Sequence, residues 1–180
     1  GKNKLSIVDV GAGNGITTIA LALEGHDVIA LEPDPSEIIG AGVIAQLVEQ
    51  YQLNNVEIVV DICENLVLAH EVDLVISRQA MHHANNLNQY LNSMSKCLKK
   101  GGLAFTIRDH VLLNSAEKPL FLDRHPLHKF YGGENAYTLE QYNNAFQNAN
   151  LEIKEVLSYF ESIINFFPMT WILKKNSQLI

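Results

Sequence analysis

Three glycines at alternate positions, in the segment VDVGAGNG at residues 8–15, follow an apolar run near the start of the chain. The run from Lys4 to Val10 is typical of a buried strand, and residues 16–23 have the spacing of a helix. A glycine-rich turn between a first strand and a first helix presents backbone N–H groups and a helix N-terminus to a ligand. The segment therefore predicts a nucleotide or nucleoside site, with a tight packing turn as the alternative.

The order of elements after this turn predicts an α/β fold with a doubly wound, Rossmann-like and mostly parallel sheet, because short apolar strands alternate with helices. The predicted strands are residues 4–10, 27–31, 56–60, 72–77, 103–108, 151–159 and 169–173. The predicted helices are residues 16–23, about 34–51, 87–98 and about 138–148. The seventh strand follows the sixth after a short loop, which predicts an antiparallel last strand. The alternation of strands and helices predicts helices on both faces of the sheet.

Two of these helices have recognisable start sequences. Asp34 is the predicted N-cap of the second helix, with Pro35 at its first position and Glu37 closing a capping box. Thr138, with Gln141 three residues later, is predicted to cap the last helix in the same way. Gly101 and Gly102 are predicted to end the helix at residues 87–98.

Length and charge limit the classes of partner. The 180 residues predict one domain, and an N-terminal segment is expected to be missing because the chain starts with Gly1 rather than Met. A net charge of −7 disfavours nucleic acid and anionic membranes, and no apolar run reaches the length of a membrane span. Two cysteines without a disulfide pattern predict a reducing, cytoplasmic location.

The spacing of the glycines and the position of Glu32 favour a nucleoside cofactor over a dinucleotide. The glycines lie in the pattern Asp9-x-Gly11-x-Gly13-x-Gly15, which differs from the G-x-G-x-x-G of dinucleotide folds. Glu32 ends the second strand about 20 residues after the first glycine, where it can accept hydrogen bonds from both ribose hydroxyls. The start of the first helix carries no Lys or Arg for a pyrophosphate.

Over nearly its whole length the chain resembles the class I S-adenosylmethionine-dependent methyltransferases, of the small-molecule, methyltransferase-11-like type. VDVGAGNG resembles their first motif, and ALEPDP resembles the acidic end of their second strand. VVDICENL, VDLVISRQAMHH and CLKKGGLAFTI are similar to the segments around their third, fourth and fifth strands. One departure is Lys100, which stands where the family usually has a proline before the glycine pair.

The resemblance implies S-adenosyl-L-methionine as the cofactor and S-adenosyl-L-homocysteine as the product. It implies that Asp9 helps to hold the amino group of the cofactor, that Asp61 meets the adenine amine, and that Ile62 packs against the adenine ring. The implied cofactor-binding residues are Asp9, Gly11, Ala12, Gly13, Gly15, Glu32, Pro33, Asp61, Ile62 and Arg78.

A small molecule methylated on oxygen or nitrogen is the predicted acceptor. The fourth strand ends in the sequence Ser77-Arg78-Gln79-Ala80 instead of the Asp/Asn-Pro-Pro-aromatic motif that orients an exocyclic amine of a nucleobase. The chain also lacks the Pro-Cys pair used on cytosine C5. Together with the acidic charge, these absences disfavour DNA and RNA.

Histidines supply the predicted catalytic candidates, which are His83, His110, His125 and His128. In the segment MHHANN at residues 81–86, one histidine either packs under the cofactor or faces the acceptor as a base. A lid-like insertion at about residues 109–137 contains the other three. His125 and His128 would share a face of a helical turn. The three insertion histidines and one of the carboxylates Asp109, Asp123 and Glu134 could instead bind a metal, or the segment could be a solvated or hydrogen-bonded loop. The preferred interpretation has no metal and uses one histidine as a base.

Other functions stay open at this point. A non-catalytic S-adenosylmethionine-binding or regulatory module would have the same fold, whereas a nucleotide-dependent oxidoreductase would conflict with the glycine pattern and the reversed last strand. Phe166 and Phe167 belong to an aromatic cluster that would pack in the core, against a second copy in a homodimer, or against an acyl-type substrate.

Overall fold

A parallel five-stranded sheet in the order β3-β2-β1-β4-β5 organises the protein in the computed structural model, which describes residues 3–131, 133–158 and 161. The strands are β1 (Ser6–Val10), β2 (Asp27–Leu31), β3 (Val56–Val59), β4 (Val72–Arg78) and β5 (Leu98–Ile107). The strand order reverses between β1 and β4. In sheets of this kind, ligands bind in the crevice at the carboxyl ends of the strands where this reversal occurs.

Within the described residues, six α-helices accompany the sheet: α1 (Ile16–Leu23), α2 (Ala41–Gln50), α3 (Leu87–Cys97), α4 (Lys118–Arg124), α5 (Pro126–Tyr131) and α6 (Leu139–Asn148). A second, two-stranded parallel sheet pairs β6 (Val111–Leu112) with β7 (Tyr137–Thr138). This small sheet and the helices α4 and α5 make up most of the predicted insertion at residues 109–137. In the part of the chain covered here, no helix is long and apolar enough to cross a membrane.

The core lies between the sheet and α3. Val8 on β1 and Val75 on β4 are fully buried, as the continuous apolar runs of these strands predict. Leu91 and Met94 of α3 are also fully buried, three positions apart on the apolar stripe that the sequence predicts for this helix. The predicted capping box of α6 is confirmed, since the Thr138 side chain accepts the Gln141 N–H and the Gln141 side chain accepts the Thr138 N–H.

The second helix starts later than predicted. Asp34 does not cap a helix, because its Oδ1 accepts the N–H of Ser36 at 2.8 Å in a local turn. The chain then turns back at Gly40, which has a φ of +102°, and a Cβ there would lie 2.3 Å from the Asp34 carbonyl oxygen. The helix therefore begins at Ala41. An Asp-Pro-Ser sequence suits a turn as well as a helix N-cap, which explains the wrong prediction.

Two further boundaries differ from the prediction. The glycine pair does not end α3, since that helix ends at Cys97 and β5 already begins at Leu98, which pairs with Val72 of β4. Residues 151–158 do not form the predicted sixth strand, because most of their side chains are exposed and they pair with no strand in the described chain. The predicted strand at residues 169–173 and the aromatic pair at residues 166–167 lie outside the described residues.

Candidate active site

The glycine loop between β1 and α1 lies at the strand-order reversal. Gly11 and Gly13 have φ angles of +65° and +57°, which favour glycine over any residue with a side chain. The N–H groups of Gly11 and Ala12 both donate to the Leu31 carbonyl of β2, at 2.8 and 3.1 Å. Gly15, with a φ of +78°, is the N-cap of α1. The loop is thus fixed to the neighbouring strand before any ligand binds.

Gly11 and Gly13 face different surroundings. A Cβ on Gly11 would lie 2.4 Å from the Cβ of Ala80, so the loop packs directly against the segment that follows β4. A Cβ on Gly13 would meet nothing within 4 Å. Gly13 therefore borders open space at the crevice, where a cofactor would approach the backbone closely.

Replacing Gly13 with alanine is expected to reduce cofactor affinity at least about tenfold, because the new methyl group occupies this open space. The free energy of unfolding should fall by only about 1–2 kcal/mol, the cost of placing alanine in a left-handed conformation. Gly25→Ala is the matched control, since Gly25 also has a positive φ, of +95°, and equally open surroundings, but lies in the turn after α1. Calorimetry with S-adenosylhomocysteine and thermal unfolding of both variants test this. Equal affinity in the two variants would contradict a cofactor contact at Gly13.

Glu32 lies at the end of β2 with both carboxylate oxygens oriented by backbone groups. Its Oε2 accepts the N–H of Gly13 at 2.7 Å, and its Oε1 accepts the N–H of Asp34 at 2.9 Å. The residue is only 7% exposed. Each carboxylate oxygen can accept more than one hydrogen bond, so both retain a free acceptor position. The arrangement fits the predicted recognition of two adjacent hydroxyls.

Asp9 is the second carboxylate beside the glycine loop. It is 2% exposed, and its Oδ2 accepts the Thr18 hydroxyl at 2.7 Å. Burial raises the pKa of Asp9 from 3.8 to about 6, although the Thr18 hydrogen bond and the nearby positive charge of Arg78 oppose this change. An ammonium group beside Asp9 would stabilise its charged form, so the residue suits the predicted amino group of the cofactor.

Asp9→Asn is expected to stabilise the ligand-free protein above about pH 6 and to weaken cofactor binding there. Because folding raises the pKa of Asp9 from 3.8 to about 6, the native protein loses stability as the pH rises between these values, by about 3 kcal/mol. The free energy of unfolding of the variant does not fall in this way, because asparagine does not ionise. The affinity of the native protein for S-adenosylmethionine should rise over the same pH range, whereas that of the variant should stay low. Thermal unfolding and calorimetry from pH 4.5 to 8 test both effects, and parallel curves for the two proteins would contradict them.

The other predicted cofactor residues follow the carboxyl ends of the neighbouring strands, and they differ in exposure and in the hydrogen bonds that they already make. Asp61 follows β3, and its Oδ1 already accepts the N–H of Ile62 at 2.7 Å and the Asn65 amide at 2.9 Å. The Ile62 side chain is 38% exposed and is available to pack against a ring. Pro33 and Arg78 are exposed at the ends of β2 and β4.

A histidine and carboxylate cluster forms where the segment after β4 meets the insertion. His82 is 3% exposed, and its Nδ1–H and its backbone N–H both donate to Asp109 Oδ1, at 2.9 and 3.0 Å. The His82 ring is thus buried and hydrogen-bonded to a carboxylate, whereas its predicted position under the cofactor stays a prediction. The side chain of His83 is 47% exposed, and its Nδ1 lies 3.3 Å from the Gly133 carbonyl. A carbonyl only accepts, so this contact places the His83 proton on Nδ1 and leaves Nε2 with a free lone pair.

The insertion supplies the other members of the cluster. The His110 ring lies 4.3 Å from the His82 ring and 5.3 Å from the His125 ring, measured between centroids. Burial, together with His82 and His125, lowers the pKa of His110, which favours its neutral form. Glu134 is 8% exposed, and its Oε2 lies 3.5 Å from His82 Nε2 and 3.9 Å from His83 Nδ1.

Hydrogen bonds fix the insertion against the segment after β4. The Tyr137 hydroxyl and the Asn135 amide both donate to the Ala84 carbonyl, at 2.5 and 3.0 Å. The Tyr142 hydroxyl of α6 donates to the His110 carbonyl at 3.1 Å. These contacts position Glu134 and His110 beside His82 and His83.

The structure brings three of the four predicted catalytic histidines together. His83, His110 and His125 belong to the cluster, whereas His128 lies in α5 outside it. His125 has an extended backbone between α4 and α5, so it is not in one helix with His128. Sequence reasoning named Glu134 and Asp109 only as carboxylates of the insertion that could join its histidines at a metal, and did not place them beside His82. Both acidic residues flank the small sheet of the insertion, but their approach to His82 depends on long-range packing that no local spacing indicates.

A groove of about 430 Å³ opens beside the cluster. His125 lies at this groove, whose other lining residues are mostly apolar and include Leu112, Leu120, Phe121 and Pro126. A mostly apolar groove with the His125 imidazole in its lining suits a small ligand with a hydrophobic body and one reactive polar atom.

Comparison with known sequences gives one family match and several curated relatives. A family model described as a methyltransferase domain matches residues 1–156. A ubiquinone biosynthesis O-methyltransferase of Rickettsia prowazekii is 30% identical over 102 residues, which are 57% of this chain and 39% of that protein. The corresponding protein of Rickettsia akari is 32% identical over 104 residues. The chain thus spans about two fifths of the length of the curated relatives that it matches.

Solved structures show the same fold. The YcgJ protein of Bacillus subtilis has a TM-score of 0.73 and 16% sequence identity, over 86% of this chain and 64% of that one. Coclaurine N-methyltransferase, solved with N-methylheliamine and S-adenosylhomocysteine, has a TM-score of 0.53 and 23% identity, over 58% of this chain and 31% of that one. At these identities the likeness concerns the fold alone.

Proposed function

The chain belongs to the methyltransferase domain family, of the class I S-adenosylmethionine-dependent type, and from that premise we propose that it transfers a methyl group to an oxygen or nitrogen atom of a small molecule. The observation that carries the proposal is the contact, at the strand-order reversal, between the glycine loop and the segment that follows β4. There the glycine loop, with Glu32 bound to Gly13, packs through Gly11 against Ala80, which immediately precedes the turn with His82 and His83. The glycine loop suits a nucleoside cofactor, and the turn with the two histidines suits an acceptor.

The residues at the glycine loop fit S-adenosylmethionine. Gly13 leaves open space for close approach, Glu32 has free acceptor positions for ribose hydroxyls, and buried Asp9 gains a partner in an ammonium group. When bound, the cofactor supplies an electrophilic methyl group on a sulfonium, so the protein contributes positioning and, for a neutral nucleophile, a base.

We assign the role of base to His83. Its Nδ1–H donates to the Gly133 carbonyl, which fixes the ring orientation and leaves Nε2 to accept a proton from the acceptor. The Glu134 carboxylate, 3.9 Å from His83 Nδ1, would stabilise the imidazolium that forms. The neighbouring His82 is buried and hydrogen-bonded to Asp109, so it positions the turn instead of meeting the acceptor.

The apolar groove indicates the kind of acceptor. A phenol or catechol with a hydrophobic substituent would place its ring or chain against Phe121 and Leu120 and its hydroxyl toward His125, where the groove meets the histidine cluster. The curated relatives named O-methyltransferases support oxygen as the acceptor atom. The net charge of −7 supports a small molecule over nucleic acid, and the free thiols of buried Cys63 and Cys97 support a reducing compartment such as the cytoplasm.

Calorimetric titration with S-adenosylmethionine, S-adenosylhomocysteine and NAD tests the cofactor half of the proposal, with binding of the first two and none of NAD as the expected result. Release of S-adenosylhomocysteine in the presence of a panel of alkyl-substituted phenols, catechols and amines then tests the transfer. Cofactor binding with no turnover on any acceptor would instead favour a non-catalytic cofactor-binding module. Binding of NAD alone would overturn both functions.

A further inference from the structure

Beyond methyl transfer, we propose that His110, His125 and Glu134 bind a divalent transition-metal ion at the edge of the apolar groove. One nitrogen of each imidazole and one carboxylate oxygen of Glu134 lie within 4.8 Å of one another. Atoms that bind one ion at about 2.0–2.2 Å lie about 3–3.5 Å apart, so small side-chain rotations suffice to close the site. The inference does not depend on the proposed reaction.

Unsatisfied polar atoms are the second observation. His125 Nδ1 and Glu134 Oε2 are both buried, and neither makes a hydrogen bond within the described part of the chain, although Glu134 Oε2 lies 3.5 Å from His82 Nε2. Burying a carboxylate oxygen or a ring nitrogen without a partner is costly, and such atoms are rare in folded proteins. A cation bound by both groups would remove that cost.

The donor set selects the class of ion. Two imidazoles and one carboxylate suit zinc, iron, manganese, cobalt or nickel in the divalent state, whereas magnesium and calcium prefer oxygen donors throughout. Three protein ligands also leave at least one coordination position open. Because His125 lines the groove, that open position would face a ligand bound there.

The small parallel sheet of the insertion builds the site. Val111 of β6 pairs with Tyr137 of β7, and both strands run in the same direction. His110 immediately precedes β6, and Glu134 lies shortly before β7, so the two residues come from the same end of this sheet. His125, at the end of α4, completes the set, with its ring 5.5 Å from that of Phe121.

A second set shares the same carboxylate. Ligand atoms of His82, His83 and Glu134 also lie within 4.8 Å of one another. In that set His82 Nδ1 donates to Asp109 and His83 Nδ1 to the Gly133 carbonyl, which leaves Nε2 of each ring as its ligand atom, whereas His125 Nδ1 of the first set is buried without a hydrogen bond in the residues described. We assign the ion to the first set because it contains His125, whose buried Nδ1 lacks a hydrogen bond.

Metal titration of the full chain, stripped with a chelator, tests the proposal. Calorimetry with Zn²⁺ and visible absorption with Co²⁺ should both show one equivalent bound with micromolar or tighter affinity, and Mg²⁺ should compete poorly. His110→Ala, His125→Ala and Glu134→Gln should each weaken Zn²⁺ affinity by about 100-fold or more. His128→Ala is the matched control, because His128 is another insertion histidine with a buried and unpartnered Nδ1 but lies outside the cluster.

Each outcome decides the assignment. Binding of S-adenosylhomocysteine by each variant verifies that it is folded, and a folded His110 or His125 variant with unchanged Zn²⁺ affinity would overturn the site. Loss of binding in His83→Ala but not in His110→Ala would assign the ion to the other set. A wild-type protein that binds neither Zn²⁺ nor Co²⁺, or that binds Mg²⁺ more tightly, would overturn the proposal altogether.

Discussion

Replacing His83 with alanine should lower kcat for methyl transfer by about 100- to 10,000-fold, the usual contribution of a positioned base. The Gly133 carbonyl holds the proton on Nδ1, so only Nε2 can take a proton from the acceptor, and alanine removes it. Affinity for S-adenosylmethionine should not change, because His83 is not among the residues that fit the cofactor. Single-turnover rates with the best acceptor of the panel, measured beside cofactor calorimetry, separate the two effects.

His70→Ala is the matched control for this experiment. His70 is another exposed histidine, and it precedes the amino end of β4, whereas the cluster follows the carboxyl end of that strand. Its variant should keep both activity and cofactor affinity. If His83→Ala kept full turnover, the acceptor would ionise without a base and His83 would lose the proposed role. A parallel fall in cofactor affinity would instead indicate that His83 supports the fold of the site.

Glu32→Ala is expected to weaken binding of S-adenosylhomocysteine by about 1–3 kcal/mol, or roughly 5- to 150-fold. The change removes the acceptor for the ribose hydroxyls and also leaves the N–H groups of Gly13 and Asp34 without their partner. The free energy of unfolding should therefore fall as well. Calorimetry for the affinity and denaturant unfolding for the stability measure both losses.

Glu32→Gln distinguishes the two contributions, since an amide has nearly the shape of a carboxylate but turns a donor toward one of the two backbone N–H groups. We expect it to bind the cofactor more weakly than the native protein at a smaller loss of stability than alanine. Glu57→Ala, at an exposed carboxylate on β3, serves as the control. Native affinity in Glu32→Ala would remove the carboxylate from the ribose.

Much of the sheet could be predicted from the sequence because buried parallel strands appear as continuous apolar runs. The second strand and the first and last helices have the predicted bounds, and the alternation of elements indicates the doubly wound order. The start of α2 could not be predicted in the same way. The turn at Asp34 and Ser36 is closed by Gly40 approaching the Asp34 carbonyl, a contact within the tertiary fold that competes with the local capping sequence.

The candidate site also contains a part that the sequence predicts and a part that it does not. Asp9, Gly13 and Glu32 belong to motifs at the ends of consecutive strands, so the sequence alone brings them to one crevice. The cluster around His82 could not be predicted, because Asp109 and Glu134 reach it only through the hydrogen bonds of Tyr137 and Asn135 to Ala84 and the pairing of β6 with β7. Side chains that are far apart in sequence and share no repeat give no local pattern.

The contact of Gly11 with Ala80 also bears on how this sequence can diverge. A Cβ on Gly11 would lie 2.4 Å from the Ala80 methyl group, which already occupies that space. The sizes of residues 11 and 80 are therefore linked although the two are far apart in sequence. A descendant with a larger residue at position 80 would push the glycine loop off the Leu31 carbonyl, and no change at position 11 could compensate, since glycine has nothing left to remove. Residue 80 should therefore stay small in descendants that keep this crevice, even if their acceptors and histidines change.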